Sequence, residues 1–371
     1  MKITRVETIP VQVPLHPGRA IRGARGYHRI SPFLLVRIHT DDGITGVGEA
    51  SCTPRWSGED HFTAAHFVNS YFAPLLEGED PAEVDRLAEK IHCTVARNSF
   101  TKAALEMALW DIRGKIAGLP LYRLFGGPVR ESVPLKWSVS GVGPAEAAEI
   151  ARWAVGQGFT AMKVKVGIDP DGDVARVRSV WEAVGSAVRL GVDANGGWSV
   201  PVAIRTIRRL AEFNISFVEQ PVPPPDPTWM AEVRNQISIP VIADESVWTA
   251  EDAENIVRAH AADVLSVYVG KAGGLSAARK VAAVAEAAGL QTTVGSNLEM
   301  GVGSAAMIHL AMATHGIRAE EFPCDIIGPY YYLDDLLEEP LPLAGGQALA
   351  LERPGLGVNL DMEKVEFYRV R

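Results

Sequence analysis

The order of apolar and polar residues divides the chain into two parts. In the first part, the run Phe33–Ile38 precedes the turn Asp41–Gly43, and a second run ends in Gly46–Glu49. Such runs, bounded by turn residues, predict an antiparallel meander over residues 1–50. Between about residues 81 and 124 the apolar positions follow helical spacing, and Gly118–Pro120 ends that pattern. We therefore predict an α+β domain over residues 1–130.

The second part alternates short apolar runs with helical segments. This texture is typical of βα units on a parallel sheet. Eight such units over about 200 residues predict a (β/α)₈ TIM barrel over residues 131–330, so the fold class is α/β. Residues 331–371 break the rhythm with proline and glycine, and we predict that they return over the first domain. The eight apolar runs are Leu135–Val139, Ala161–Val166, Val188–Val192, Ile215–Val218, Ile239–Ala243, Val264–Val267, Gln291–Val294 and, more weakly, Ala319–Phe322.

Composition narrows the class of partner. The net charge is -9 and the basic residues are dispersed, which argues against nucleic acid and membrane surfaces and favours a small molecule. Cys52, Cys93 and Cys324 are widely separated, which argues against a disulfide framework and against zinc. The chain has no 18-residue apolar run and no apolar signal core at its start. We expect a cytoplasmic protein.

Charged residues recur at the ends of five successive predicted strands. They are Lys165, Asp193, Glu219, Asp244 and Lys271, and the steps between them are 28, 26, 25 and 27 positions by subtraction of residue numbers. Each step matches one βα unit. The carboxyl ends of barrel strands form the catalytic face, so we expect these side chains to converge there.

Three of these residues are carboxylates. Asp193 and Asp244 have an alternative role as helix N-caps, but Glu219 is followed by Pro221 and a proline run that does not suit a cap. Three converging carboxylates repel one another unless a cation lies between them. Oxygen ligands without thiol or imidazole select Mg²⁺, for which Mn²⁺ can substitute. We predict that Glu245 and Asn195 support this site, Glu245 through Lys271 or as a ligand.

Lys163 and Lys165 are two residues apart in a strand and project to the same face. Two buried cations are costly side by side, so the neutral amine of one is favoured and can act as a base. Lys271 lies four strands further on, across an eight-stranded ring. We therefore expect one lysine on each side of the substrate.

This combination resembles the enolase superfamily, specifically the muconate-lactonizing subgroup of the mandelate racemase/muconate lactonizing enzyme family. Lys163-Val164-Lys165 looks like the K-x-K motif of that subgroup, and Gly295-Ser296-Asn297 has no histidine where the mandelate racemase subgroup uses one. The resemblance covers nearly the whole chain and implies a capping domain, a modified barrel and a homo-oligomer. It assigns the base to Lys165, its helper to Lys163, the opposite lysine to Lys271, and Mg²⁺ binding to Asp193, Glu219 and Asp244.

The resemblance implies abstraction of the proton α to a carboxylate, giving an enediolate. Isomerisation is the leading outcome, by a muconate-type cycloisomerase or a racemase/epimerase. A syn-dehydratase of an acid sugar or hydroxy acid is the alternative. A Schiff-base aldolase and a non-catalytic binding protein fit the three carboxylates and the complete site less well.

Substrate selection is expected in two loops, residues 17–29 and 51–60. Arg25 and His28 in the first are candidates for binding a second anionic group, and Trp56 in the second is a candidate for covering an apolar portion. The alternative is that the arginines form a solvated surface. Three further candidates without a chosen role follow late strands: Glu299, Glu321 and Asp325.

Overall fold

A computed structural model describes residues 1–370, apart from the side chain of His28. The first 130 residues form a three-stranded antiparallel sheet, a two-stranded hairpin and a group of helices. The strands and α-helices are β1 (Ile3–Pro14), β2 (Ile21–Gly23), β3 (Gly26–His28), β4 (Ile30–Thr40), β5 (Thr45–Ser51), α1 (His61–Phe67), α2 (Ala73–Leu76), α3 (Val84–Thr94), α4 (Ser99–Ala117) and α5 (Leu121–Leu124).

The predicted meander is present, with strand order β1-β4-β5. Helix α4 packs closely on β5 because two glycines of that strand have no side chain. A Cβ atom would lie 2.1 Å from the Ala108 carbonyl oxygen at Gly46 and 1.8 Å from the Ala104 carbonyl oxygen at Gly48. Any larger residue at either position would push the helix off the sheet.

The second part is a curled sheet of seven parallel strands, which lie side by side in chain order with helices between them. Together with the capping domain it confirms the predicted α/β class and the modified barrel. Its elements are β7 (Trp137–Val139), α6 (Pro144–Gly156), β8 (Ala161–Lys165), α7 (Pro170–Val184), β9 (Arg189–Asp193), α8 (Val200–Leu210), β10 (Val218–Glu219), α9 (Pro227–Asn235), β11 (Val241–Ala243), α10 (Ala250–Arg258), β12 (Val264–Val267), α11 (Val269–Ala272), α12 (Leu275–Ala287), β13 (Gln291–Val294) and α13 (Gly301–Ala313).

The predicted eighth strand at Ala319–Phe322 is wrong, because these residues form turns. An irregular segment closes the barrel instead. The backbone N–H of Arg318 donates to Thr292 on one side, and the N–H of Cys324 donates to Pro134 on the other, at 2.9 and 2.8 Å. Isolated bonds of this kind satisfy the edges of the sheet without a regular strand.

The last residues contact both parts of the chain. A short strand before the barrel, β6 (Ser132–Pro134), pairs with β15 (Gln347–Leu349), and β15 pairs with β14 (Leu343–Ala344). The final helix, α14 (Met362–Tyr368), packs against β1. The division of the chain at 130 and 330, with a tail that returns over the first domain, stays a prediction.

Buried carboxylates of the capping domain bind backbone amides of the barrel. Glu49 accepts from the N–H groups of Met300 and Gly303 at 2.7 and 3.0 Å, at the start of α13. Glu106 likewise accepts from the first amides of α12. These contacts satisfy donors that a helix start leaves free. Within residues 1–370, no helix is both long and apolar enough to cross a membrane.

Candidate active site

A cavity of about 350 Å³ lies at the carboxyl ends of the barrel strands, beneath the capping loops. The barrel contributes Lys163 and Lys165 from β8 and Asn195 after β9. The capping domain covers it with the hairpin β2-β3 and with residues 52–56. The carboxyl ends of the strands and the capping loops therefore enclose this cavity together.

Three buried carboxylates are each paired with a different lysine. Lys165 Nζ lies 2.6 Å from Asp193 Oδ2, and Lys163 Nζ lies 2.7 Å from Glu219 Oε1. The third pair is Lys271 Nζ with Asp244 Oδ1, at 2.6 Å. Helices α8 and α10 begin after Ser199 and Thr249, so the alternative that Asp193 and Asp244 cap helices is wrong.

The two neighbouring acids respond differently to this environment. Burial raises the pKa of Asp193, but Lys165 and Lys163 outweigh it and lower the pKa to about 2. Burial also raises the pKa of Glu219, and the surrounding carboxylates add to it, so that this pKa reaches about 8 despite Lys163. Negative charge is therefore in excess around Glu219, where an additional cation would be stabilised.

The donor set suits a hard divalent cation. Asp193, Glu219 and Asp244 supply only oxygen, and Glu219 Oε2 is buried without a hydrogen-bond partner among the described residues. As the side chains lie, however, no three Asp, Glu, His or Cys residues in the described part of the chain are arranged around one point as metal ligands. Each of the three carboxylates is paired with a lysine instead. The residues fit a cation chemically, provided that some of these pairs open.

Lys271 does not have the position expected for it. It lies in the short helix α11, is 2% exposed, and donates to Asp244 and to the Ser266 carbonyl. Tyr268 stands between Lys271 and the cavity, with its ring centroid 4.1 Å from Lys271 Nζ. Among the described lining residues, the lysines are Lys163 and Lys165. The prediction that Lys271 faces the substrate is not met.

Asp325 lies in the cavity wall and joins two lysines. Its Oδ2 is 2.9 Å from Lys163 Nζ and 3.2 Å from Lys136 Nζ, while Oδ1 is buried without a partner among the described residues. Burial raises the pKa of Asp325, but Lys136 and Lys163 lower it below its usual value overall. Lys136 was missed from the sequence because it directly precedes β7 and does not lie at a carboxyl strand end, although its two-residue spacing from Ser138 indicates the same face.

Glu245 organises both capping loops. Its Oε1 lies 3.3 Å from Arg25 Nε, accepts from Trp56 Nε1 at 3.3 Å, and accepts from Asn195 Nδ2 at 3.1 Å. Asn195 in turn accepts from Lys165 at 3.1 Å. The expected contact of Glu245 with Lys271 is therefore wrong, because Glu245 is directed towards the loops. Arg25 lines the cavity with its charge already paired.

Of the other predicted site residues, some line the cavity and others lie away from it. Trp56 lines the cavity and stacks on Tyr268, with ring centroids 5.5 Å apart. Glu299 is buried and accepts from Ser296 and the Asn297 amide, so it stabilises its own turn. Glu321 is exposed and pairs with Gln291 at the amino end of β13, away from the cavity, which removes it as a substrate contact. The side chain of His28 lies outside the described residues.

A curled parallel sheet with lysines and carboxylates at its strand ends defines a class of barrel enzymes. Comparison with known proteins places the chain within it. Residues 3–126 match the mandelate racemase/muconate lactonizing enzyme N-terminal domain, and residues 145–365 match the enolase C-terminal domain-like family. The chain therefore belongs to the mandelate racemase/muconate lactonizing enzyme family of the enolase superfamily.

Three relatives indicate the range of activities. Muconate cycloisomerase 1 of Rhodococcus opacus is 36% identical, over 99% of this chain and 98% of the relative. The N-succinyl Arg/Lys racemase of Bacillus cereus ATCC 14579 is 30% identical with a TM-score of 0.95, covering 100% and 99% of the two chains. The dipeptide epimerase of Cytophaga hutchinsonii, solved with Mg and D-Ala-L-Val, is 31% identical with a TM-score of 0.94, covering 99% and 98%. The chain is an isomerase of this superfamily.

Proposed function

We propose that the protein is a Mg²⁺-dependent isomerase that removes the proton α to the carboxylate of a small molecule. The observation that carries this proposal is the arrangement of Lys163 and Lys165 against buried Asp193 and Glu219 at the cavity. Relatives with this fold include a cycloisomerase, a racemase and an Mg-bound epimerase. The names of these relatives contain muconate, N-succinyl Arg/Lys and a dipeptide.

In the proposed reaction, the neutral amine of Lys165 takes the α-proton. The electrons of the broken C–H bond move onto the carboxylate oxygens, which gives an enediolate. Lys163, held by Glu219 and Asp325, supplies a fixed positive charge beside those oxygens. A positive charge positioned before the reaction needs no rearrangement when the negative charge develops.

Asp193, Glu219 and Asp244 are the residues that we propose to hold Mg²⁺. When bound, the divalent cation supplies Lewis-acid stabilisation of negative charge on the substrate oxygens. Burial of the three carboxylates keeps water away and strengthens every charge interaction in the site. The loops anchored by Glu245 close the cavity over the substrate.

The test is α-proton exchange in D₂O with MgCl₂, followed by ¹H NMR. Suitable probes are muconolactone, N-succinyl-L-arginine and D-Ala-L-Val, since they represent the chemistry of the relatives. We expect exchange with at least one probe, its loss in Lys165→Met, and its loss on adding EDTA. Restoration by Mg²⁺ or Mn²⁺ supports the metal site, whereas exchange that survives complete chelation contradicts it.

A further inference from the structure

The end of β12 carries a different kind of residue from the ends of its neighbours. Lys165, Asp193 and Glu219 are the last residues of their strands, and Asp244 directly follows β11. The residue that directly follows β12 is Tyr268. The step of one βα unit predicts Lys271, three residues later, but residues 269–271 form the start of α11.

Tyr268 is held rigidly in the cavity wall. Its hydroxyl donates to Asp244 Oδ2 at 2.9 Å, and its ring stacks on Trp56 at an interplanar angle of 12°. The side chain is 3% exposed. A ring packed between a tryptophan and a lysine cannot swing aside without losing both contacts and the hydrogen bond.

Lys271 has no capacity left for the substrate. An ammonium group has three N–H donors. Those of Lys271 have three acceptors, namely Asp244 Oδ1 at 2.6 Å, the Asp244 carbonyl at 2.7 Å and the Ser266 carbonyl at 2.9 Å. To reach the substrate it would have to give up these bonds and pass the Tyr268 ring. Lys271 therefore positions Asp244.

We propose that Tyr268 forms the wall opposite Lys165 and that the enzyme transfers protons on one face of the substrate only. This inference rests on the proposed function. Lys165 takes the α-proton, becomes an ammonium, and returns the same proton or an exchanged one to the same face of the enediolate. The C–H bond reforms with its configuration retained. Proton transfer on one face is sufficient for a cycloisomerase. It distinguishes this chain from the relatives that are named racemases and epimerases.

The first test measures exchange and inversion on the same sample. Wild-type enzyme with MgCl₂ in D₂O is given N-succinyl-L-arginine, D-Ala-L-Val or muconolactone. Deuterium uptake is followed by NMR and configuration by chiral chromatography. We expect the exchanging probe to keep its configuration, with inversion slower than exchange on the order of 100-fold. Inversion as fast as exchange would overturn the inference and leave the proposed function intact, whereas no exchange with any probe would overturn both.

Variants supply the second test. Tyr268→Lys places an amine opposite Lys165, and we expect inversion to appear alongside exchange. Tyr268→Phe, which keeps the ring, is the matched control and should exchange without inversion. Lys271→Met should reduce exchange through Asp244 and leave retention unchanged. If wild-type enzyme inverts its probe and Lys271→Met abolishes only that inversion, Lys271 is the second base and the inference is wrong.

Discussion

Replacing Lys136 with methionine tests the link between the barrel interior and the cavity wall. Lys136 is 1% exposed, donates to the Pro323 carbonyl at 2.6 Å, and pairs with Asp325 at 3.2 Å. The variant Lys136→Met removes one hydrogen bond from a charged donor and one ion pair. Asp325 keeps its bond to Lys163, so the loss is smaller than for a carboxylate left alone.

The expected loss in the free energy of unfolding is about 2–4 kcal/mol. The entropy of unfolding of 371 residues is roughly 0.8 kcal/mol per kelvin, so the melting temperature should fall by about 3–5 °C. Methionine is close to lysine in length and fills the space beside the Phe217 ring. The variant therefore adds little free-energy cost from an empty cavity. Urea unfolding and thermal melts together provide both quantities.

A double-mutant cycle with Asp325→Asn identifies the source of the loss. If the two side chains interact as described, the coupling energy should exceed about 1 kcal/mol. Lys102→Met is the matched control, because Lys102 is also a buried lysine but donates to the His92 carbonyl in the capping domain. Its coupling with Asp325→Asn should stay below about 0.5 kcal/mol. Additive losses from Lys136→Met and Asp325→Asn would refute the reasoning.

Three further predictions concern the rest of the molecule. Glu49→Ala leaves two buried amides of α13 without their acceptor and should cost about 2–4 kcal/mol of unfolding free energy in urea titrations; an unchanged midpoint contradicts it. Burial lowers the pKa of His309 from 6.5 to about 4, so the unfolded chain binds the extra proton first and stability should fall by up to roughly 3 kcal/mol as the pH drops from 6.5 to 4; His309→Gln should flatten that profile. Trp56→Ala removes stacking on Tyr268 and Trp248 and should raise KM more than it lowers kcat, whereas a lower kcat at unchanged KM would place Trp56 in the chemical step.

The sequence predicts the barrel well because strand periodicity and the regular βα spacing are local properties. Asp193, Glu219 and Asp244 recur at that spacing, and the structure brings them to one end of the sheet. The spacing fails at Lys271, because the short helix α11 adds residues between the strand end and the lysine. The recurrence of charge does not predict Tyr268, because the residue at the equivalent strand end is aromatic and uncharged.

Other features depend on contacts that no local pattern encodes. The pair formed by Lys136 and Asp325 joins the residue just before β7 to the irregular closing segment, almost 190 positions apart by subtraction of residue numbers. The direction of Glu245 towards Arg25 depends on where the hairpin β2-β3 lies over the barrel. The closing segment itself has the composition of a weak strand, but it forms turns and isolated bonds to Thr292 and Pro134 instead.

The most direct measurement of the central claim is the α-deuterium exchange rate of Lys165→Met beside wild type, with Mg²⁺ binding to both proteins measured by calorimetry. Lys165 contacts Asp193 but is not itself an oxygen ligand, so the variant should still bind Mg²⁺. The account predicts that exchange falls at least on the order of 1,000-fold while Mg²⁺ binding persists. Exchange at the wild-type rate in Lys165→Met would contradict it.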